Sequence, residues 1–306
     1  MVTFLDGPAT VTVPATSANL GPGFDSLGLA LDLRDRLTAA VLPSGLEVDV
    51  EGAGAGDVPL DESHLVVRSM RAAFDALGAQ PPGLRLACHN LIPHARGLGS
   101  SSAAIVGGLV LARALVAGGE LVFDDDALFR LAAEIEGHPD NVAPAFYGGF
   151  TISGHEPGDA GEEFYAVRTS VDPRISAVVF IPPTGVETKT ARGLLPETVP
   201  HADAAADAGR TALLVAALNG APEHLHRATR DFLHQEYRRP AMPASLALVD
   251  ELRAEGYAAI VSGAGPTVLA FSDGIDSSYT AKLAAHCPSG WACHALAVDL
   301  DGALVV

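Results

Sequence analysis

The stretch Pro93-His94-Ala95-Arg96-Gly97-Leu98-Gly99-Ser100-Ser101-Ser102 constrains the fold of this chain more than any other, because a proline-free apolar run follows it directly. From Ala103 to Val116 that run carries a single charge, Arg113, and predicts a buried helix. Its two preceding glycines permit sharp turns and close backbone approach. Ser100, Ser101 and Ser102 fall at the helix start, where hydroxyl oxygens cap free N–H groups. The same N–H groups and the helix dipole make an anion site that suits a polyphosphate. A Walker A loop is excluded, since no Gly-Lys-Ser or Gly-Lys-Thr follows, and a dinucleotide fingerprint lacks its third glycine. Taken alone, the segment fits a Ser-capped buried helix behind a glycine turn equally well.

Charge narrows the partners. A net charge of -18 over 306 residues argues against nucleic-acid binding and against an anionic membrane surface. An anionic nucleotide then needs a locally positive site, built from backbone N–H groups, a metal ion and a few arginines. With 48% hydrophobic and 18% charged residues, the chain is long and apolar enough for one large or two moderate domains. Cys88, Cys287 and Cys293 are odd in number and form no Cys-x-x-Cys, so they read as small buried hydrophobes. The first residues carry no basic, apolar leader, and the run after Ser102 is short for a membrane span; a cytoplasmic, soluble protein is expected.

Alternation predicts strands at 9–13, 27–33, 36–42, 46–50 and 84–89, and helical spacing predicts a helix over 63–77 with Ser63 as its cap. A helix over 124–136 begins with acidic residues, and a short one follows at 140–146. The polar segment 154–161 reads as a hairpin or a domain junction. Beyond it come a strand at 175–181, helices near 188–195, 204–218, 223–231 and 244–255, and a strand pair at 258–261 and 267–271. A helix over 277–286 and a last strand at 293–298 complete an α+β pattern.

Three further segments carry candidate chemistry. Pro14-Ala15-Thr16-Ser17-Ala18-Asn19-Leu20-Gly21-Pro22-Gly23-Phe24-Asp25 combines rigid prolines and permissive glycines with an amide and a carboxylate, as a substrate amine requires. Glu134-Ile135-Glu136-Gly137-His138-Pro139-Asp140-Asn141 offers Glu134 to Mg²⁺, a hard ion that takes one or two carboxylates, and Asp140 and Asn141 to a hydroxyl. It also reads as a helix end capped by Gly137, with Asp140 capping the next helix. Thr188-Lys189-Thr190-Ala191-Arg192 and Tyr237-Arg238-Arg239 supply scarce cations, arginine being suited to two-point carboxylate binding. Ser262-Gly263-Ala264-Gly265-Pro266-Thr267 joins two short strands and permits close approach to a ligand or a packed neighbour.

Jointly, the segments at 14–25, 93–104 and 262–267 resemble the three motifs of the GHMP small-molecule kinase superfamily, over nearly the whole chain. Within it, residues 14–25 and 136–144 are similar to the homoserine kinase branch. The resemblance implies a two-domain fold: residues 1–160 like domain 2 of ribosomal protein S5, and residues 161–306 ferredoxin-like. It implies transfer of the ATP γ-phosphoryl group to the side-chain hydroxyl of L-homoserine, toward threonine, by a homodimer. Another small alcohol such as mevalonate, or a catalytically silent metabolite sensor, is the alternative. By resemblance, Pro93, Arg96, Gly97, Leu98, Gly99, Ser100, Ser101 and Ser102 hold the nucleotide, and Ser100 and Glu134 hold Mg²⁺. Asn19, Asp25, His138, Asp140, Thr188 and Gly263 shape the amino-acid pocket. Asn141 touches the reacting hydroxyl, and Arg192 and Arg238 grip the carboxylate; Asn141, Glu134 and Arg192 are the expected catalytic set.

Overall fold

The first half of the chain is built on an antiparallel pair, β1 (Ala9–Ala18) and β2 (Leu27–Leu42). The two strands expected at 27–33 and 36–42 are one 16-residue strand. The break in alternation is a bulge: Pro14 pairs with Arg34 and Ala15 with Leu31, so Asp32 and Leu33 are extra. Pro14 has no N–H to give the ladder, which makes this the cheapest place for the irregularity. β3 (Gly45–Gly52) runs parallel to β4 (Gly83–Asn90), with α1 (Leu65–Leu77) as the crossover between them. The structure, a computed structural model, describes residues 2–158, 161–273 and 277–306.

α2 (Ser100–Ala114) is the buried helix expected from the apolar run. It is buried nearly all round because two glycines let it slot between layers. A Cβ at Gly108 would lie 2.7 Å from the Val66 carbonyl on α1, and one at Gly107 would lie 2.4 Å from Leu37 on β2. α3 (Gly119–Val122), α4 (Asp125–Glu136) and α5 (Val142–Tyr147) follow on the same side. The serine cap of α1 does not form: Ser63 bonds to Asp61, and the helix starts after His64 without a side-chain cap. Residues 154–158 end β5 (Phe150–Gly158) and residue 161 starts β6 (Gly161–Thr169), an antiparallel pair joined to β2 through β5, so the first sheet extends past residue 160; residues 159–160 of the segment lie outside the described residues.

The second half holds a four-stranded antiparallel sheet. β7 (Ile175–Ile181) leads through α6 (Thr188–Arg192), α7 (His201–Leu218), α8 (Leu225–Ala228) and α9 (Pro243–Ala254) to β8 (Ala259–Val261) and β9 (Val268–Asp273). α10 (Ser277–Ala284) and β10 (Ala292–Ala297) complete it. The order β10-β7-β9-β8 is that of a ferredoxin-like βαββαβ unit. β10 is not the last strand, as the sequence reading had it. The chain turns at Asp299, which pairs with Arg34 of β2, and β11 (Leu304–Val305) joins the first sheet beside β1. No helix among the described residues is long and apolar enough to cross a membrane.

Candidate active site

A cleft of about 450 Å³ opens where the N-terminus of α2, the turn after α4, the loop after β1 and the loop between β8 and β9 converge. Its geometry starts at the glycines. Gly99, at φ +70°, is the N-cap of α2, and the first intrahelical bond runs from Ala103 N–H to the Gly99 carbonyl (2.9 Å). The N–H groups of Ser100 to Ser102 are therefore left at the helix mouth, an anion site. A Cβ at Gly99 would lie 1.9 Å from Thr16 Oγ1, and one at Gly97 would lie 2.3 Å from the Ser262 carbonyl. Ser262 in turn donates its hydroxyl to the Gly97 carbonyl (2.6 Å). The loop is thus gripped by β1 on one side and the second half of the chain on the other.

The serines do not cap the helix, contrary to the sequence expectation. Ser101 and Ser102 donate their hydroxyls to one oxygen of Glu136 (2.6 and 2.9 Å). Glu136 lines the cleft beside Ser100 and Ser101, whereas Glu134 is exposed and outside its lining. The cleft wall thus carries a carboxylate and hydroxyl oxygens next to free N–H groups, a hard-oxygen set that fits Mg²⁺. Arg96 points elsewhere: its guanidinium donates to the carbonyls of His94, Pro182 and Pro183 and straps the loop to the end of β7. Leu98 is buried and accepts from Thr16 N–H (3.0 Å), Ser102 is buried, and Pro93 lies outside the lining.

Asn19, at φ +67°, anchors the other end. Its amide donates to the Gly263 carbonyl (2.9 Å) and accepts from Asp25 N–H (2.9 Å). Arg192 forks onto Asp25 through two bonds of 3.0 and 2.7 Å, and this pairing holds the guanidinium above its ordinary pKa. Asp25 itself is outside the cleft lining; Thr188, Arg192, Arg238 and Gly263 are in it. Arg238 is 1% exposed, and burial, with Arg192 nearby, pushes its pKa down to about 10. Its NH1 donates to Gly263 O (3.0 Å), while its buried Nε has no partner among the described residues.

Asn141 adjoins the glycine loop. Thr16 donates to its Oδ1 (2.7 Å), so its N–H groups face no acceptor among the described residues. Asp140 is 2% exposed and does not cap α5; it holds His138 Nδ1 (2.9 Å). Burial pushes the His138 imidazole down, but the bond and charge of Asp140, with Glu136, outweigh it and hold the ring above its ordinary pKa.

A second cavity of about 280 Å³ shares Ser100 and Ser101 with the cleft and is walled by Val58, Pro59, Leu65 and Val66. His64 Nδ1 is buried in this region without a hydrogen-bond partner among the described residues. Sequence reading missed this cavity, because the wall facing Ser100 and Ser101 comes from a loop and a helix start, residues 58–66, that carry no motif.

The profile of the GHMP kinases N-terminal domain matches residues 64–149, and that of the GHMP kinases C-terminal domain matches residues 213–286. Homoserine kinase of Streptomyces avermitilis is 57% identical over 296 residues, 97% of this chain and 95% of its own. Homoserine kinase of Streptomyces coelicolor is 56% identical, covering 97% and 94%. The crystal structure of homoserine kinase from Cytophaga hutchinsonii superposes with a TM-score of 0.85 at 27% identity, covering 99% of each chain.

Proposed function

The chain belongs to the homoserine kinases of the GHMP kinase family, and on that premise we propose that it transfers the γ-phosphoryl group of ATP to the side-chain hydroxyl of L-homoserine, yielding O-phospho-L-homoserine and ADP. One observation carries this reading. A single cleft joins an anion-binding helix N-terminus to a buried arginine and an Asp–Arg fork, with the Asn141 amide beside the glycine loop. The polyphosphate takes the free N–H groups of α2, and the purine takes the adjoining apolar cavity. The amino acid lies across Asn19, Asp140 and Thr188, its carboxylate toward Arg192 and Arg238.

Glu136 with Ser100, rather than Glu134, is the pair we assign to Mg²⁺. The ion supplies charge neutralisation on the transferring phosphoryl group when bound. Asn141 donates an N–H to the substrate hydroxyl and holds its oxygen toward the γ-phosphorus. A loose phosphoryl-transfer transition state asks little of the nucleophile, so positioning and charge can carry the reaction. His138 and Asp140 orient the substrate as a hydrogen-bonded pair. The assembly we assign is a homodimer. A cytoplasmic setting agrees with the free thiols of Cys88, Cys287 and Cys293.

An ADP-release assay across L-homoserine, mevalonate and galactose tests the reading. We expect turnover of homoserine that depends on Mg²⁺, with a phosphomonoester seen by phosphorus NMR. Turnover of mevalonate with none of homoserine refutes it.

A further inference from the structure

Behind the amino-acid end of the cleft lies a buried group that this scheme does not use. His234 is fully buried, and its Nε2 donates to the Gly21 carbonyl (2.7 Å). The carbonyl can only accept, so Nδ1 is left as an acceptor, and Arg238 NH1 donates to it (3.1 Å). The imidazole ring stacks on Phe24 at 5.1 Å and 27°. The guanidinium groups of Arg192 and Arg238 both lie over that same Phe24 ring, at 5.7 and 5.6 Å. The turn carrying His234 is itself held, since Asp231 accepts the N–H groups of Leu233, His234 and Gln235. The Gln235 side chain accepts from Val261 N–H (2.6 Å) and ties that turn to β8.

Arg238 is therefore clamped through one nitrogen. NH1 meets His234 Nδ1 and the Gly263 carbonyl, whereas Nε and NH2 meet no acceptor among the described residues. Competing partners stand nearby: the charges of Asp25, Asp231 and Asp140 all act on this guanidinium. Without an acceptor at the His234 position, the side chain is free to turn toward one of them.

We propose that His234 is a positioning residue for Arg238: held as its Nε2–H tautomer by Gly21, it fixes NH1 and keeps the other guanidinium donors for the substrate carboxylate. This rests on the assignment of Arg238 to that carboxylate. Burial, with the neighbouring Arg238, keeps the imidazole below its ordinary pKa, so the acceptor persists at neutral pH.

Two near-isosteric variants of the full chain separate the two ring nitrogens. His234→Asn keeps an acceptor where Nδ1 stood, and His234→Gln keeps a donor where Nε2 stood. We expect His234→Gln to raise the homoserine KM about tenfold, the scale for a lost bond to a charged group, and to leave the ATP KM unchanged. His234→Asn should stay within about threefold of wild type. Turnover of 3-aminopropan-1-ol, which lacks the carboxylate, should be equal in wild type and His234→Gln. On an Arg238→Ala background, His234→Gln should have no further effect. Equal losses in both variants, a rise in the ATP KM, or additive losses on Arg238→Ala overturn the inference. If Arg238→Ala leaves the homoserine KM untouched, the carboxylate assignment itself fails, independently of His234. Should His234→Gln lose its folded circular dichroism spectrum, His234→Asn decides: a wild-type homoserine KM supports the role, and a raised one refutes it.

Discussion

Glu134 and Glu136 sit two positions apart at the end of α4, and a helix turns about 200° over that interval. They cannot share a face. The sequence offers both carboxylates, and only the hydroxyls of Ser101 and Ser102, arriving from α2, show which one faces the cleft. We expect Glu136→Gln to lower kcat by roughly tenfold to a thousandfold, the range for losing one transition-state electrostatic contact. Glu134→Gln should leave kcat and its Mg²⁺ dependence unchanged. Steady-state rates over a Mg²⁺ titration check both, and the reverse pattern would restore Glu134 to the site. Arg96 gives the same lesson. A cation beside a glycine loop reads as a phosphate ligand, yet the neighbouring His94 carbonyl and the distant Pro182 and Pro183 carbonyls take its guanidinium. The Asp25–Arg192 fork is a further case. Each partner complements one end of a zwitterionic amino acid, so under the proposed assignment homoserine would exchange one internal ion pair for two across the substrate.

The decisive element is α2. Its apolar run, its start and its glycines were all legible in the sequence, because period and composition are local properties. What the serines do at its mouth was not, since a hydroxyl that can cap its own helix can equally reach a carboxylate on another. Gly99 is where the element meets the chemistry. An added Cβ would strike the Thr16 hydroxyl that holds Asn141, at a φ that disfavours any side chain. Gly99→Ala should therefore lower kcat/KM by about a hundredfold, the loss expected from roughly 1 Å of misplacement. The fold should survive, with an unchanged far-ultraviolet circular dichroism spectrum. Near wild-type kinetics would show that the loop does not set the reacting geometry.

On the scale of the molecule, the chain builds one sheet, leaves it for a second, and returns its last residues to the first. Asp299 makes the corner. Its carboxylate pairs with Arg34 and accepts the N–H groups of Asp301 and Gly302, while Arg34 also donates to the Gly302 carbonyl. Removing one member of a fully buried pair costs about 3–5 kcal/mol; Arg34 keeps some solvent, so Asp299→Ala should cost about 2–4 kcal/mol. Calorimetry should show a lower midpoint but one transition, because β11 and the interlobe loop bonds still join the halves. Two resolved transitions would mean that the corner alone couples them.

Local order was set by the sequence alone. The β1 alternation, the α2 run, the β7 strand and the order of the three glycine-bearing segments follow from side-chain periodicity and backbone freedom, which act over a few residues. Tertiary structure decided everything that needs two distant partners. It merged β2 by placing a bulge opposite Pro14, and it returned the C-terminus beside β1. It chose Glu136 over Glu134, formed a cavity wall from motif-free residues, and set His234 on the Gly21 carbonyl. These outcomes depend on hydrogen-bond and packing partners separated by tens to hundreds of residues, and no local pattern encodes which of several chemically suitable partners arrives.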